Sequence, residues 1–140
     1  MKFESVALTD VGLVRDQNQD AVFEAPDKGI FLVADGMGGE KAGEEASAQV
    51  VLTVCDSLYG IFSASPHSPS QLIEILRDTL LQANMDVLQI AVREPDKRGL
   101  GSTASLLCLH RGVYFIAQVG DSRIYLCRNG QLKQLTRDHT

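Results

Sequence analysis

The chain has 140 residues, 44% of them apolar and 22% charged, which suits one domain with a proper core and is too short for two. Its 18 acidic and 13 basic side chains leave a net charge of −5, and without a basic cluster this argues against a nucleic-acid binder. Cys55, Cys108 and Cys127 are odd in number and lack CxxC spacing, so neither a disulfide framework nor a zinc knuckle is expected, and each sits in an apolar run as a core residue would.

Residues 2–9 alternate weakly and read as a first strand. Val11 to Asp20 follows as a polar loop carrying Arg15, Asp16 and Asp20. Ala21-Val22-Phe23 is a short strand, and the turn residues Pro26-Asp27-Lys28-Gly29 return the chain into Ile30-Phe31-Leu32-Val33-Ala34-Asp35, so a hairpin is expected over 21–35. The unbroken apolar run 30–34 predicts a strand buried on both faces. It ends on a carboxylate and then on Gly36-Met37-Gly38-Gly39, where backbone free of Cβ atoms lets a ligand approach. The plainer reading makes Asp35 the N-cap of the next helix.

From Glu40 the period becomes helical. Ala46, Val50, Val54 and Leu58 form one stripe with Ser47 and Val51 beside it, and little polar surface follows Glu45, so a mostly buried helix is expected to end over Gly60 to Ser65. Ser68-Pro69-Ser70-Gln71 predicts a restart, with Ser68 as N-cap, Pro69 at N1 and Gln71 closing a capping box. Leu72, Leu76, Leu80, Ala83, Val87 and Ala91 mark the face of this second helix, and Pro95 to Gly99 stop it. The period is then two, with strands over 103–109, 113–119 and 123–128, the first pair joined at His110-Arg111-Gly112. Asn129-Gly130 signals a type I′ hairpin returning through Leu132 to Leu135. Strands, two helices and strands again define an α+β chain with helices packed on an antiparallel sheet.

Asp20, Asp35 and Asp121 all stand where a strand meets a loop. Mg²⁺ or Mn²⁺ prefers carboxylate oxygens, carbonyls and water, and Asp35 with the Gly36 carbonyl offers that mixture. Taken singly each acid is a turn residue; taken together they favour a metal site. Arg15 is suited to grip a phosphate if that site is near, and is otherwise a solvated loop residue. Asp16-x-Asn18-x-Asp20 begins like a calcium loop but places Ala21 where glycine is needed and Asp27 where glutamate is needed. The glycine-rich stretch has Lys41 in place of a third glycine and no GK[ST] after it, so a phosphate loop is not supported. His67, His110 and His139 have no metal-ligand spacing, the first two reading as surface residues, and Ser102-Thr103 lacks a nucleophile elbow.

Five motifs in order, Arg15-Asp16-Gln17-Asn18-Gln19-Asp20, Asp35 to Gly39, Gly101-Ser102-Thr103-Ala104, Gly120-Asp121-Ser122-Arg123 and Leu135-Thr136-Arg137-Asp138-His139, resemble the bacterial form of the type 2C metal-dependent protein phosphatases. The resemblance implies an antiparallel β-sandwich flanked by helices, with a two- or three-ion Mn²⁺ or Mg²⁺ centre hydrolysing phosphoserine and phosphothreonine. Asp35 would then bridge two metals and Gly36 lend its carbonyl. Asp20 would hold a metal-bound water, Arg15 the phosphate, and Asp121 a third metal. Met37 stands where many members carry a histidine proposed as general acid, as it often does in bacterial relatives.

The family's remaining metal-binding aspartates lie beyond Thr140, so residues 1–140 read as the N-terminal part of a single phosphatase domain. The expected partner is a phosphoprotein substrate, in signalling opposed to a serine/threonine kinase, with neither nucleic acid nor membrane. With no signal-peptide core and no run of about eighteen apolar residues, the expected compartment is cytoplasmic. Self-association through a truncated sheet is also expected. The alternative is an inactive fragment or pseudophosphatase acting as an interaction module.

Overall fold

Two strands joined at Pro26–Gly29 form the hairpin from which the rest is built: β1 (Asp20–Ala25) and β2 (Ile30–Met37), antiparallel, with Asp20 directly opposite Asp35. This computed structural model describes residues 2–39, 41–64, 66–97 and 99–140. Glu40, Ser65 and Arg98, at the expected start of the first helix, its end and the stop of the second, lie outside the described residues.

After the glycines the chain enters α1 (Ala42–Tyr59), a single turn α2 (Ile61–Ala64) and α3 (Pro69–Arg93). The capping box is formed as expected: the Gln71 N–H donates to Ser68 Oγ at 3.2 Å, and the Ser68 N–H donates to Gln71 Oε1 at 2.8 Å. A 3₁₀ turn at Pro95–Lys97 ends the helical part. Lys97 Nζ ties it down, donating to Glu45 on α1 and to Glu94 at the end of α3.

The remaining strands are β3 (Gly101–Ser102), β4 (Ala104–His110), β5 (Val113–Val119), β6 (Tyr125–Arg128) and β7 (Gln131–Gln134). The main antiparallel sheet runs β1-β2-β4-β5, with β3 pairing to the end of β2, and β6 pairs with β7 as a separate ribbon. Asn129 and Gly130, with φ of 53° and 73°, make the left-handed turn that a type I′ hairpin requires.

The core lies between one sheet face and the helices. Ile30, Leu32 and Ala34 of β2 and Leu106 and Cys108 of β4 meet Ala46, Val50, Val54 and Leu58 of α1, with Leu76, Ala83 and Val87 of α3 behind. Burying each large aliphatic here contributes about 1.5–3 kcal/mol. Burial pushes the Cys108 thiol up to about 11, so it remains an unreactive thiol in the core.

Several expectations are corrected. Strand β2 is buried on one face only: Val33 is 48% exposed and Asp35 is open, because helices cover one side of the sheet. Residues 2–9 form no strand; Val6 and Leu8 are 79% and 84% exposed, and among the described residues no neighbouring strand pairs with that backbone. Helix α1 is buried along one side, leaving Ala48, Leu52, Asp56 and Tyr59 exposed. On α3 it is Ile90 that is buried and Ala91 that is partly open. Cys127 is exposed on the β6–β7 ribbon, which no helix covers among the described residues. His67 and His110 are half-buried instead of free on the surface, both rings packing edge-on against Phe62.

Candidate metal centre

The register of the hairpin places two carboxylates face to face. Residues opposite each other in an antiparallel pair have their Cβ atoms roughly 4.5–5.5 Å apart, and like charges in that position repel. Asp35 registers this crowding. Burial first, then a side-chain hydrogen bond and the negative charge of Asp20, raise its carboxyl above the ordinary carboxylate value. Asp121 pushes in the same direction, and the Arg15 guanidinium pulls it back. Arg15, Asp20 and Asp121, carried by a loop, a strand and a second loop, thus all bear on the charge of Asp35. Arg15, Asp20, Asp35 and Gly36 also line one open cleft of about 700 Å³.

Gly36 is fixed by close approach of backbone. A Cβ there would fall 1.8 Å from the carbonyl oxygen of Gly43, in the first turn of α1, and 2.7 Å from that of Gln19. The Gly36 N–H donates to the Gln19 carbonyl at 2.9 Å. The Gln19 side chain then reaches over Gly43, where a Cβ would come within 2.7 Å of it, and donates to the Gly38 carbonyl at 3.2 Å. Gln19 is thus a wedge between strand and helix, a role with no signal in the sequence beyond its place next to Asp20.

On the other side Thr103 holds Asp35. The Asp35 N–H donates to Thr103 Oγ1 at 2.9 Å, and the Thr103 N–H returns a bond to the Asp35 carbonyl at 2.9 Å. Thr103 Oγ1 also lies 2.7 Å from Ser122 Oγ, the neighbour of Asp121. The hydroxyl set aside as a nucleophile is therefore a structural joint between the two acids.

Two carboxylates sharing a hydrogen bond, with a glycine backbone beside them, form an all-oxygen donor set that fits a hard divalent cation. Among the described residues no three His, Cys, Asp or Glu side chains are grouped closely enough to hold a metal. Asp20, Asp35 and the Gly36 carbonyl would thus supply only part of a coordination sphere.

This fold belongs to a known class. Residues 7–140 match the family described as Protein phosphatase 2C, and the chain belongs to that family. It is 37% identical over 135 residues to the serine/threonine phosphatase stp of Listeria monocytogenes, covering 94% of this chain and 53% of that protein. It is 33% identical over 135 residues to the serine/threonine protein phosphatase PstP of Mycobacterium tuberculosis, covering 96% of this chain and 24% of that protein. The crystal structure of Mycobacterium tuberculosis PstP/Ppp aligns with a TM-score of 0.79 at 31% identity, over 91% of this chain and 51% of that one. The catalytic domain of PstP in complex with two manganese ions aligns equally well, with a TM-score of 0.79 at 32% identity, over 91% and 52%. The chain thus spans about half the length of the Listeria relative, and the expected α+β class with antiparallel sheets and flanking helices is the one found.

Proposed function

We propose that residues 1–140 form the N-terminal part of a single phosphatase domain that hydrolyses phosphoserine and phosphothreonine in proteins. The observation that carries this reading is that Asp20 faces Asp35 across β1 and β2 in a cleft that Arg15 also lines, beside a glycine too crowded to be replaced. Mn²⁺ or Mg²⁺, when bound, supplies a water acidified for attack on phosphorus and neutralises phosphoryl charge. Asp35 and the Gly36 carbonyl would hold the metal, Asp20 would orient a water beside it, and Asp121 would serve a further ion. Arg15 binds the phosphoryl oxygens through charge-assisted hydrogen bonds. The Met37 side chain is 63% exposed and carries no acidic proton, so water or another residue must protonate the leaving oxygen.

A phosphoprotein, opposed by a serine/threonine kinase in cytoplasmic signalling, is the partner this reading implies. No helix among the described residues is long and apolar enough to cross a membrane. The 140-residue chain by itself is inactive and retains metal poorly, a reading favoured by the lack of a three-ligand group among the described residues. The partly open second face of the sheet, where Val33 is 48% exposed, and the segment 2–9, which has no strand partner among the described residues, also favour self-association. The test has two arms. In the complete protein, phosphopeptide hydrolysis requires Mn²⁺ or Mg²⁺, and Arg15→Ala weakens substrate binding by roughly 1.5–3 kcal/mol without changing metal affinity. For the 140-residue chain, light scattering detects association and the same assay detects no turnover. Undiminished turnover in EDTA overturns the mechanism, and a monomeric, active 140-residue chain overturns the partial-domain reading.

A further inference from the structure

Asp121 sits on an exposed turn, Gly120-Asp121-Ser122, between β5 and β6. Such a turn would let a carboxylate wander, yet nearly every group around it is tied down. Gly120 adopts φ +97°, and a Cβ there would fall 2.6 Å from Thr103 Cγ2, so the turn is pressed against the residue that holds Asp35. The Gln118 side chain donates to the carbonyls of Gly120 and Ser122, bracketing Asp121 from within its own strand.

The last described segment of the chain closes over the same turn. The His139 N–H donates to the Gly120 carbonyl at 3.0 Å, and the Gly120 N–H donates to His139 Nδ1 at 3.3 Å. Next to it, Arg123 binds Asp138 as a two-pronged fork, Nε to Oδ1 at 2.9 Å and Nη2 to Oδ2 at 2.6 Å. Gln134 supports Asp138 at 3.4 Å, and Tyr125 accepts from Arg123 Nη1 at 3.2 Å. The two side chains of this ion pair are 46% and 30% exposed. A pair that open to solvent adds little to stability. What a bidentate fork supplies in that setting is direction.

We propose that Arg123, Asp138 and His139 are positioning residues, a clamp that fixes the Gly120–Ser122 turn and so holds the Asp121 carboxylate toward Asp35 for a divalent cation. This rests on the metal reading above. It also accounts for the Thr136-Arg137-Asp138-His139 segment. Gly120 is bonded through its backbone to His139, Arg123 through its side chain to Asp138, and Ser122 through its hydroxyl to Thr103, so the residues flanking Asp121 are held on both sides.

The test is a Mn²⁺ titration of the ¹⁵N-labelled 140-residue chain, following paramagnetic broadening of the amide signals around Asp121 and, separately, around Asp20 and Asp35. Arg123→Lys, which loses the fork, and His139→Ala, which loses the Nδ1 acceptor, should each raise the Mn²⁺ concentration that broadens the Asp121 region at least threefold. Broadening near Asp20 and Asp35 should stay as in the wild type, with thermal midpoints nearly unchanged. His139→Asn, whose Oδ1 can stand in for Nδ1, should restore most of the loss. Equal broadening of the Asp121 region in all variants would overturn the clamp and leave the metal reading standing. A loss at both regions together with a large fall in thermal midpoint would also overturn it, making these residues structural. Broadening at neither region in the wild type would overturn both the metal reading and the clamp.

Discussion

Replacing Asp35 by Asn should stabilise the metal-free chain while removing its affinity for Mn²⁺. Asp35 and Asp20 face each other across β1 and β2, and burial, Asp20 and Asp121 all disfavour the charged carboxylate. A like-charged pair directly opposite on two strands costs on the order of 0.2–1 kcal/mol. Because Asp35 is exposed, solvent screening keeps the value toward the lower end of that range. For a chain of this size the gain corresponds to roughly 1–4 °C in thermal midpoint.

The pH dependence follows from the direction of the shift. A carboxyl raised in the folded state binds its proton more tightly there than in the unfolded chain, whose value is near 3.8. The destabilisation is therefore fully present above the folded value, shrinks as pH falls through it, and is gone below 3.8. Thermal unfolding followed by circular dichroism in EDTA, at pH 7 and pH 3, separates the two regimes. Asp35→Asn should be the more stable form at pH 7 and equal to the wild type at pH 3. Adding Mn²⁺ at pH 7 should reverse the order, since a ligand at ten times its dissociation constant stabilises the protein that binds it by about 1.4 kcal/mol. A variant less stable than the wild type in EDTA at pH 7, or equally stabilised by Mn²⁺, would refute the reasoning.

Two further substitutions test the frame around the site. Gly36→Ala must push Gly43 and Gln19 apart, since its Cβ would lie 1.8 Å from the Gly43 carbonyl oxygen, and should destabilise by about 1–3 kcal/mol in a denaturant titration. Ser68→Ala removes the cap of α3 and should cost about 1 kcal/mol, read from the urea midpoint with an unchanged slope.

What was legible in the sequence was local. The hairpin through Pro26–Gly29, the Ser68 capping box and the Asn129-Gly130 turn each depend on residues within a few positions of one another, and all three are formed as read. Asp35 at the end of an apolar run pointed to a site because strand ends and glycines have a physical purpose there. What was not legible depends on distant partners. The alternation over 2–9 could suggest a strand but could not supply its neighbour. Strand β3 is two residues long and is defined only by its pairing with Gly36 and Met37. The same is true of Thr103, whose hydroxyl reads as an ordinary strand residue until Asp35 and Ser122 are seen beside it.

The joint between Asp35 and Thr103 also bears on the order in which the chain assembles. Asp20 and Asp35 meet by closing a short hairpin, a step of roughly 1–10 μs. Thr103 reaches Asp35 across 68 residues, and its hydroxyl also meets Ser122 beside Asp121. Non-local closures of that kind are the slow part of folding. The Asp20–Asp35 pairing is thus the fast step of building this end of the sheet, and the Thr103 joint the slow one.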